Sequence, residues 1–95
     1  MRNYEIVFII HPDLDENSFA ETLTRVKNWI TEANGSITKE EIWGKRRMAY
    51  TIRKQHEGQY VLLNAQLPPA FVNELERNFR ITEPVIRHMI IALDE

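Results

Sequence analysis

The sequence contains no cysteine and only three glycines among its 95 residues. Without cysteine there is no disulfide framework, no thiolate nucleophile and no cysteine-based metal site, so stability rests on packing alone. Gly35, Gly44 and Gly58 are isolated, which excludes a glycine-rich phosphate cradle of the GxGxxG or P-loop kind. Long apolar runs are also missing: Ile6–Ile10 spans five residues, whereas a membrane helix needs about 20. Met1-Arg2-Asn3-Tyr4-Glu5 lacks the basic start of a signal peptide, so the expectation is a soluble cytoplasmic domain. His11, His56 and His88 lie far apart, without HExxH or His-x-His spacing and without a nucleophile constellation. Asp13, Asp15, Glu16 and Glu21 read as helix capping and not as a catalytic carboxylate pair. No catalytic residue, metal or cofactor is therefore expected.

What is present suits one small core. With 43% hydrophobic and 27% charged residues the chain is neither disordered nor membranous, and residues 1–95 are expected to form a single domain. Tyr4–Ile10 is a β-branched and aromatic run, apolar on both faces, which suits a strand in the middle of a sheet. Phe19, Leu23, Val26, Ile30 and Ala33 recur at helical spacing, predicting a helix from about Asp15 to Ala33 that Asn34-Gly35 stops. Ser36–Ile52 and Tyr60–Leu67 read as a long β-hairpin with Gln55-His56-Glu57-Gly58 as its turn and a bulge near Glu40-Glu41 or Gly44. A second helix follows Pro69, with Val72, Leu75 and Phe79 inward, and Val85–Leu93 is the last strand. This β-α-β-β-α-β order predicts an α+β, ferredoxin-like split βαβ fold: a four-stranded antiparallel sheet with both helices on one face.

Alternation then assigns the opposite face. If Ile6, Phe8 and Ile10 point to the helices, Val7, Ile9, Tyr60, Leu62, Met89 and Ile91 form an apolar surface on the open side, where a polar one is usual. A surface of that kind marks a protein contact or a homodimer. Charge is just as uneven. Lys45, Arg46, Arg47, Arg53 and Lys54 place five positive charges in ten residues that hold no acid. The net charge of −2 thus divides into +5 on the hairpin and −7 on the rest. The hairpin can track phosphates, or it can be a solvated edge strand kept soluble by its cations. Arg46 and Arg47 point to opposite sides of a regular strand. An RNA-recognition motif would need two or three stacking rings where Glu57–Leu63 has one, and an acylphosphatase-like loop is absent from His11-Pro12-Asp13.

The start Met1-Arg2-Asn3-Tyr4-Glu5, the turn Pro12-Asp13-Leu14-Asp15, the block from Trp43 to Ile52 with its Gly-x-Arg-Arg-x-Ala-Tyr core, and the ending Phe79-Arg80-Ile81 through Val85-Ile86-Arg87-His88-Met89 closely resemble the bacterial small-subunit ribosomal protein six family. The resemblance covers essentially the whole chain. It implies a non-catalytic ferredoxin-like domain that binds the central domain of small-subunit ribosomal RNA as a heterodimer with small-subunit ribosomal protein eighteen, and that is a monomer when isolated. Many members carry a longer tail than the Asp94-Glu95 ending seen here. By position, Arg2, Tyr4, Arg46, Arg47, Tyr50 and Arg87 match the family pattern.

Charge and resemblance together assign Arg2, Lys45, Arg46, Arg47, Tyr50, Arg53, Lys54 and Arg87 to RNA. Tyr4, Val7, Ile9, Tyr60, Leu62, Met89 and Ile91 are assigned to the partner protein. The rival reading is a homo-oligomeric small-molecule sensor on the same fold, with the apolar face closing a dimer.

Overall fold

The alternation of Tyr4, Ile6, Phe8 and Ile10 makes Arg2–Ile10 a strand, β1, with one side buried from Tyr4 onward. The computed structural model describes residues 1–93; Asp94-Glu95 lies outside the described residues. Helix α1 spans Glu16–Glu32 and buries Leu23, Val26 and Ile30. Its N-cap is Asp15, whose Oδ1 accepts the backbone N–H of Ser18 at 2.7 Å. That bond holds the Asp15 carboxyl below its ordinary range. The left-handed stop is Asn34 alone, at φ 66°. Gly35 is needed for room: a Cβ there would sit 2.6 Å from the backbone oxygen of Gln66.

Strand β2 runs Ser36–Ile52 and β3 Gln55–Leu67. The turn differs from the expected Gln55–Gly58. It is Arg53-Lys54, with φ of 50° and 65°, and Ile52 pairs with Gln55 across it. Two positive-φ residues between paired strands match the right-handed strand twist, which fixes the turn although neither residue is Gly or Asn. The register shifts between Ile37 and Lys39, between Ile42 and Gly44, and between Arg47 and Ile52. The bulge expected at Gly44 is therefore present, with Gly44 at φ 78°, while Glu40 and Glu41 pair regularly with Leu63 and Leu62.

A 3-10 turn at Pro69–Phe71 leads into α2, Val72–Ile81, which buries Leu75 and Phe79. Strand β4 is Val85–Ala92. The sheet order is β2-β3-β1-β4, all antiparallel, with β1 and β3 inside. The fold is thus the ferredoxin-like one that the alternation of elements predicts. One core joins Ile6, Phe8, Ile10, Val61, Leu63 and Leu67 to the inner faces of both helices. At its centre Phe79 meets Phe8 at 5.3 Å and Trp29 edge-on at 5.6 Å, and His88 stacks on it at 5.2 Å. His88 therefore serves packing, with Nε2 3.4 Å from Glu76.

One assignment is corrected by this packing. Tyr4 is 6% exposed and belongs to the helix-side core, opposite Ala65 and Ala92. It shares the parity of Ile6 and Phe8, so it is not part of the open face.

Candidate RNA and protein interface

The register confirms which residues share the open face. Val7 lies between Leu62 and Met89, Ile9 between Tyr60 and Arg87, and Glu5 between Asn64 and Ile91. Met89 and Ile91 are exposed, Val7 and Tyr60 half-buried. Ile9 and Leu62 are only 5% and 8% exposed. Both are floor and not contact surface, and Ile9 is so because the far part of the hairpin curls back over this end of the sheet. Met48 packs on Ile9 and Ile86, with Ile52 and Tyr60 beside them. Further out, the guanidinium of Arg53 donates to the backbone oxygen of Glu83 at 3.0 Å. Arg87 hydrogen-bonds the hydroxyl of Tyr50 and lies 5.3 Å from its ring centre.

Val7, Ile9, Tyr60, Arg87, His88 and Met89 line a shallow cavity of about 230 Å³ on the open face. Its rim continues into Trp43, which stacks on Tyr60 at 6.1 Å and an interplanar angle of 15°. Arg46 reaches over the Trp43 ring at 5.8 Å and donates Nε–H to the Trp43 backbone oxygen. The indole N–H of Trp43 donates to Glu41 at 2.8 Å, and Lys39 pairs with the same carboxylate at 3.0 Å. The indole bond first, and Lys39 next, hold the Glu41 carboxyl below its ordinary value. Trp43 was not among the expected site residues. The signal was an aromatic directly before Gly-Lys-Arg-Arg, and the register shift at Ile42/Gly44 obscured its side.

The hairpin cations divide between two sides, as the opposed Arg46 and Arg47 require. Lys45, Arg47 and Lys54 line a second open cleft, about 360 Å³, with Pro12, Asp13 and Glu57. Arg46 and Arg87 instead border the apolar face. Arg2 joins neither group. It pairs with Leu67 at the other end of β1, seven residues from Ile9, or about 23 Å along a strand. Among the described residues no three His, Asp or Glu side chains are placed to share a metal ion, and no helix is long and apolar enough to cross a membrane.

Residues 3–92 match the family model described as ribosomal protein S6. The chain is 44% identical over 95 residues to small ribosomal subunit protein bS6 of Moorella thermoacetica, covering 100% of this chain and 97% of that protein. It is 45% identical over 95 residues to the protein of the same description from Caldanaerobacter subterraneus subsp. tengcongensis, covering 100% of both. Among solved structures it superposes on 30S ribosomal protein S6 of Thermotoga maritima with a TM-score of 0.91 and 36% identity, over 96% of this chain and 86% of that one.

Proposed function

The chain belongs to the ribosomal protein S6 family, structural and non-enzymatic components of the small subunit of the bacterial cytoplasmic ribosome, and from that premise we propose that it holds ribosomal RNA and a second ribosomal protein on two sides of one hairpin. The RNA is the central domain of small-subunit ribosomal RNA, and the protein is small-subunit ribosomal protein eighteen, taken up as a heterodimer. The observation that carries this reading is the division of cations along β2: Arg46 borders the apolar face, whereas Lys45 and Arg47 converge with Lys54 on the other side.

Each side has matching chemistry. Lys45, Arg47 and Lys54 supply charge to phosphate oxygens, which position a protein on RNA without reading bases. Met89, Ile91, Val7 and Tyr60 supply the apolar contact for the protein partner, and Trp43, Arg46, Tyr50 and Arg87 frame it. The −7 carried by the rest of the chain favours a basic partner. Neither surface is strong alone. Lys45, Arg47 and Lys54 on the phosphate side fall well short of the roughly 6 to 10 phosphate contacts of a tight binder, so a partner that brings its own cations raises affinity by holding both in register.

The test is the salt dependence of RNA binding by the heterodimer. Arg47→Ala with Lys54→Ala lowers the slope of log K against log salt by about 1.4 to 1.8, since each phosphate contact contributes about 0.7 to 0.9. An unchanged slope removes this side of the hairpin from the RNA surface. Hydroxyl-radical footprinting with and without the partner protein completes the test, with protection expected only when both are present.

A further inference from the structure

Beside its apolar residues, the open face carries a negative charge near its middle. Glu5 sits on the inner strand β1, and the register aligns Lys39, Asn64, Glu5 and Ile91 in one row across the four strands. Directly paired residues share a face, so these four side chains leave the sheet on its open side. The next row along is Glu41, Leu62, Val7 and Met89. Glu5 therefore borders the apolar surface on an inner strand, and it is half-buried already.

That charge has no internal answer. Among the described residues Glu5 has no hydrogen bond or ion pair. The cation of its own row, Lys39, is held by Glu41 at 3.0 Å. Arg87, on the same face, is four residues further along β4 than Ile91, about 13 Å away, and it hydrogen-bonds Tyr50. Next to Glu5 is a second acceptor without a donor, since the Oδ1 of Asn64 is buried and unpartnered. Direct pairing across the strands sets the two Cβ atoms about 5 Å apart. Thr38 does not serve that oxygen, because its hydroxyl donates to the Asn64 backbone oxygen at 3.2 Å. Thr38, Asn64 and Leu93 line a notch of about 230 Å³ that reaches from β2 across β3 and β1 to the end of β4. Buried acceptors are normally satisfied, and one left over at a notch calls for a donor from outside.

Covering this face dictates what the partner must carry. A carboxylate buried without a cation is strongly destabilising, so a purely apolar partner is rejected where its contact would close over Glu5. We propose that Glu5 and Asn64 receive an arginine side chain of the partner protein, its guanidinium shared between the carboxylate and the amide oxygen and its methylenes against Ile91. Guanidinium suits this pair better than ammonium. Its planar fork of donors spans two acceptors, and its weaker hydration lets it leave water more readily than the point charge of a lysine. The terminal torsion of asparagine is broad, so the oxygen turns toward the notch at little cost. This anchor rests on the reading of the open face as the docking surface, and within that face it makes Glu5 the residue that selects a basic partner.

The experiment is isothermal titration calorimetry of the full chain with protein eighteen, the proposed partner, comparing the parent with Glu5→Gln. Glutamine keeps the shape of the side chain and removes its charge, and a circular dichroism melt checks the fold. The sign of the effect decides. With a guanidinium on Glu5 the variant binds about tenfold more weakly or worse. With no cation there, removing a charge that docking would desolvate leaves binding unchanged or tightens it, and that result overturns the proposal. A double-mutant cycle then names the occupant, each arginine and lysine of the partner being replaced by methionine in turn. One arginine replacement is expected to weaken binding to the parent while adding about twofold or less in the Glu5→Gln background. Coupling to a lysine, or to no residue, overturns the guanidinium assignment. Met89→Glu separates the two levels: if it leaves binding intact, the docking face itself is wrong and the anchor with it. If it weakens binding and Glu5→Gln does not, the arginine anchor alone falls.

Discussion

Replacing Met89 by glutamate tests the open face where it is accessible. Met89 is 43% exposed on β4, beside Val7. Burying a methionine fully is worth about 1.5 to 3 kcal/mol, so the share still open to solvent leaves about 1 kcal/mol for a docking partner to gain. A glutamate forfeits that gain and adds the cost of desolvating a carboxylate against apolar surface, about 1 to 3 kcal/mol for an unpaired polar group. The sum, about 2 to 4 kcal/mol, raises the dissociation constant for the proposed partner, protein eighteen, by about 30-fold to several hundredfold. Isothermal titration calorimetry of the two proteins measures it, with the circular dichroism melt of the variant as the control for folding. A dissociation constant within threefold of the original refutes the assignment of this face. Ile9 would be a poor probe: at 5% exposure it floors the Met48–Ile86 cluster, and a buried charge there unfolds the chain before it reports on any partner.

Gly35→Ala forces a methyl to 2.6 Å from the Gln66 oxygen and 2.9 Å from that of Ile30; the expected loss is about 3 kcal/mol, a fall in Tm of 12 °C or more for a domain of this size. Gly44→Ala meets open space and costs only its φ of 78°, about 1 kcal/mol, and equal losses at the two sites would show that backbone crowding is not what Gly35 relieves. Because the Glu41 carboxyl is depressed in the folded chain, its contribution is complete above the ordinary value of 4.5 and is lost as pH falls through the lower folded value. Trp43 fluorescence is therefore expected to change only below pH 4.5, and a transition that persists in Glu41→Gln refutes the pairing. The isolated chain is expected to sediment as a monomer; a stable dimer closed through Met89 and Ile91 would favour the homo-oligomeric reading.

Where one rule governs a segment, the sequence already shows its structure. The spacing of Leu23, Val26 and Ile30 finds α1, and the two apolar faces of Ile6–Ile10 place β1 inside the sheet. The same alternation puts Tyr4 with Ile6 and Phe8. Resemblance carries a position but not the side of the strand, and it sent Tyr4 to the wrong face. The hairpin turn was hidden because Arg53 and Lys54 adopt positive φ without glycine, while Gly58 four residues on looks like the natural turn and is a buried strand residue instead. Within the candidate site, the apolar open face and the cationic segment are visible from pattern and charge. The back-curl of Met48 and Tyr50 onto Ile9 and Arg87 is not, since it depends on register shifts that no periodicity encodes.

The central strand has a consequence for how the chain reaches this state. β1 is made first, yet one of its two neighbours is β4, so that Tyr4 pairs with Ala92 and Ile6 with Ile90 across nearly the full length of the sequence. Pairings this distant close large loops and slow folding. A nascent chain that has not yet released Val85–Ala92 holds β1 as a temporary sheet edge, apolar on both sides over Ile6–Ile10, the kind of edge that recruits strands from other molecules. Chaperone demand and aggregation should therefore peak when synthesis has passed Ile81 and fall once β4 is free to cover that edge.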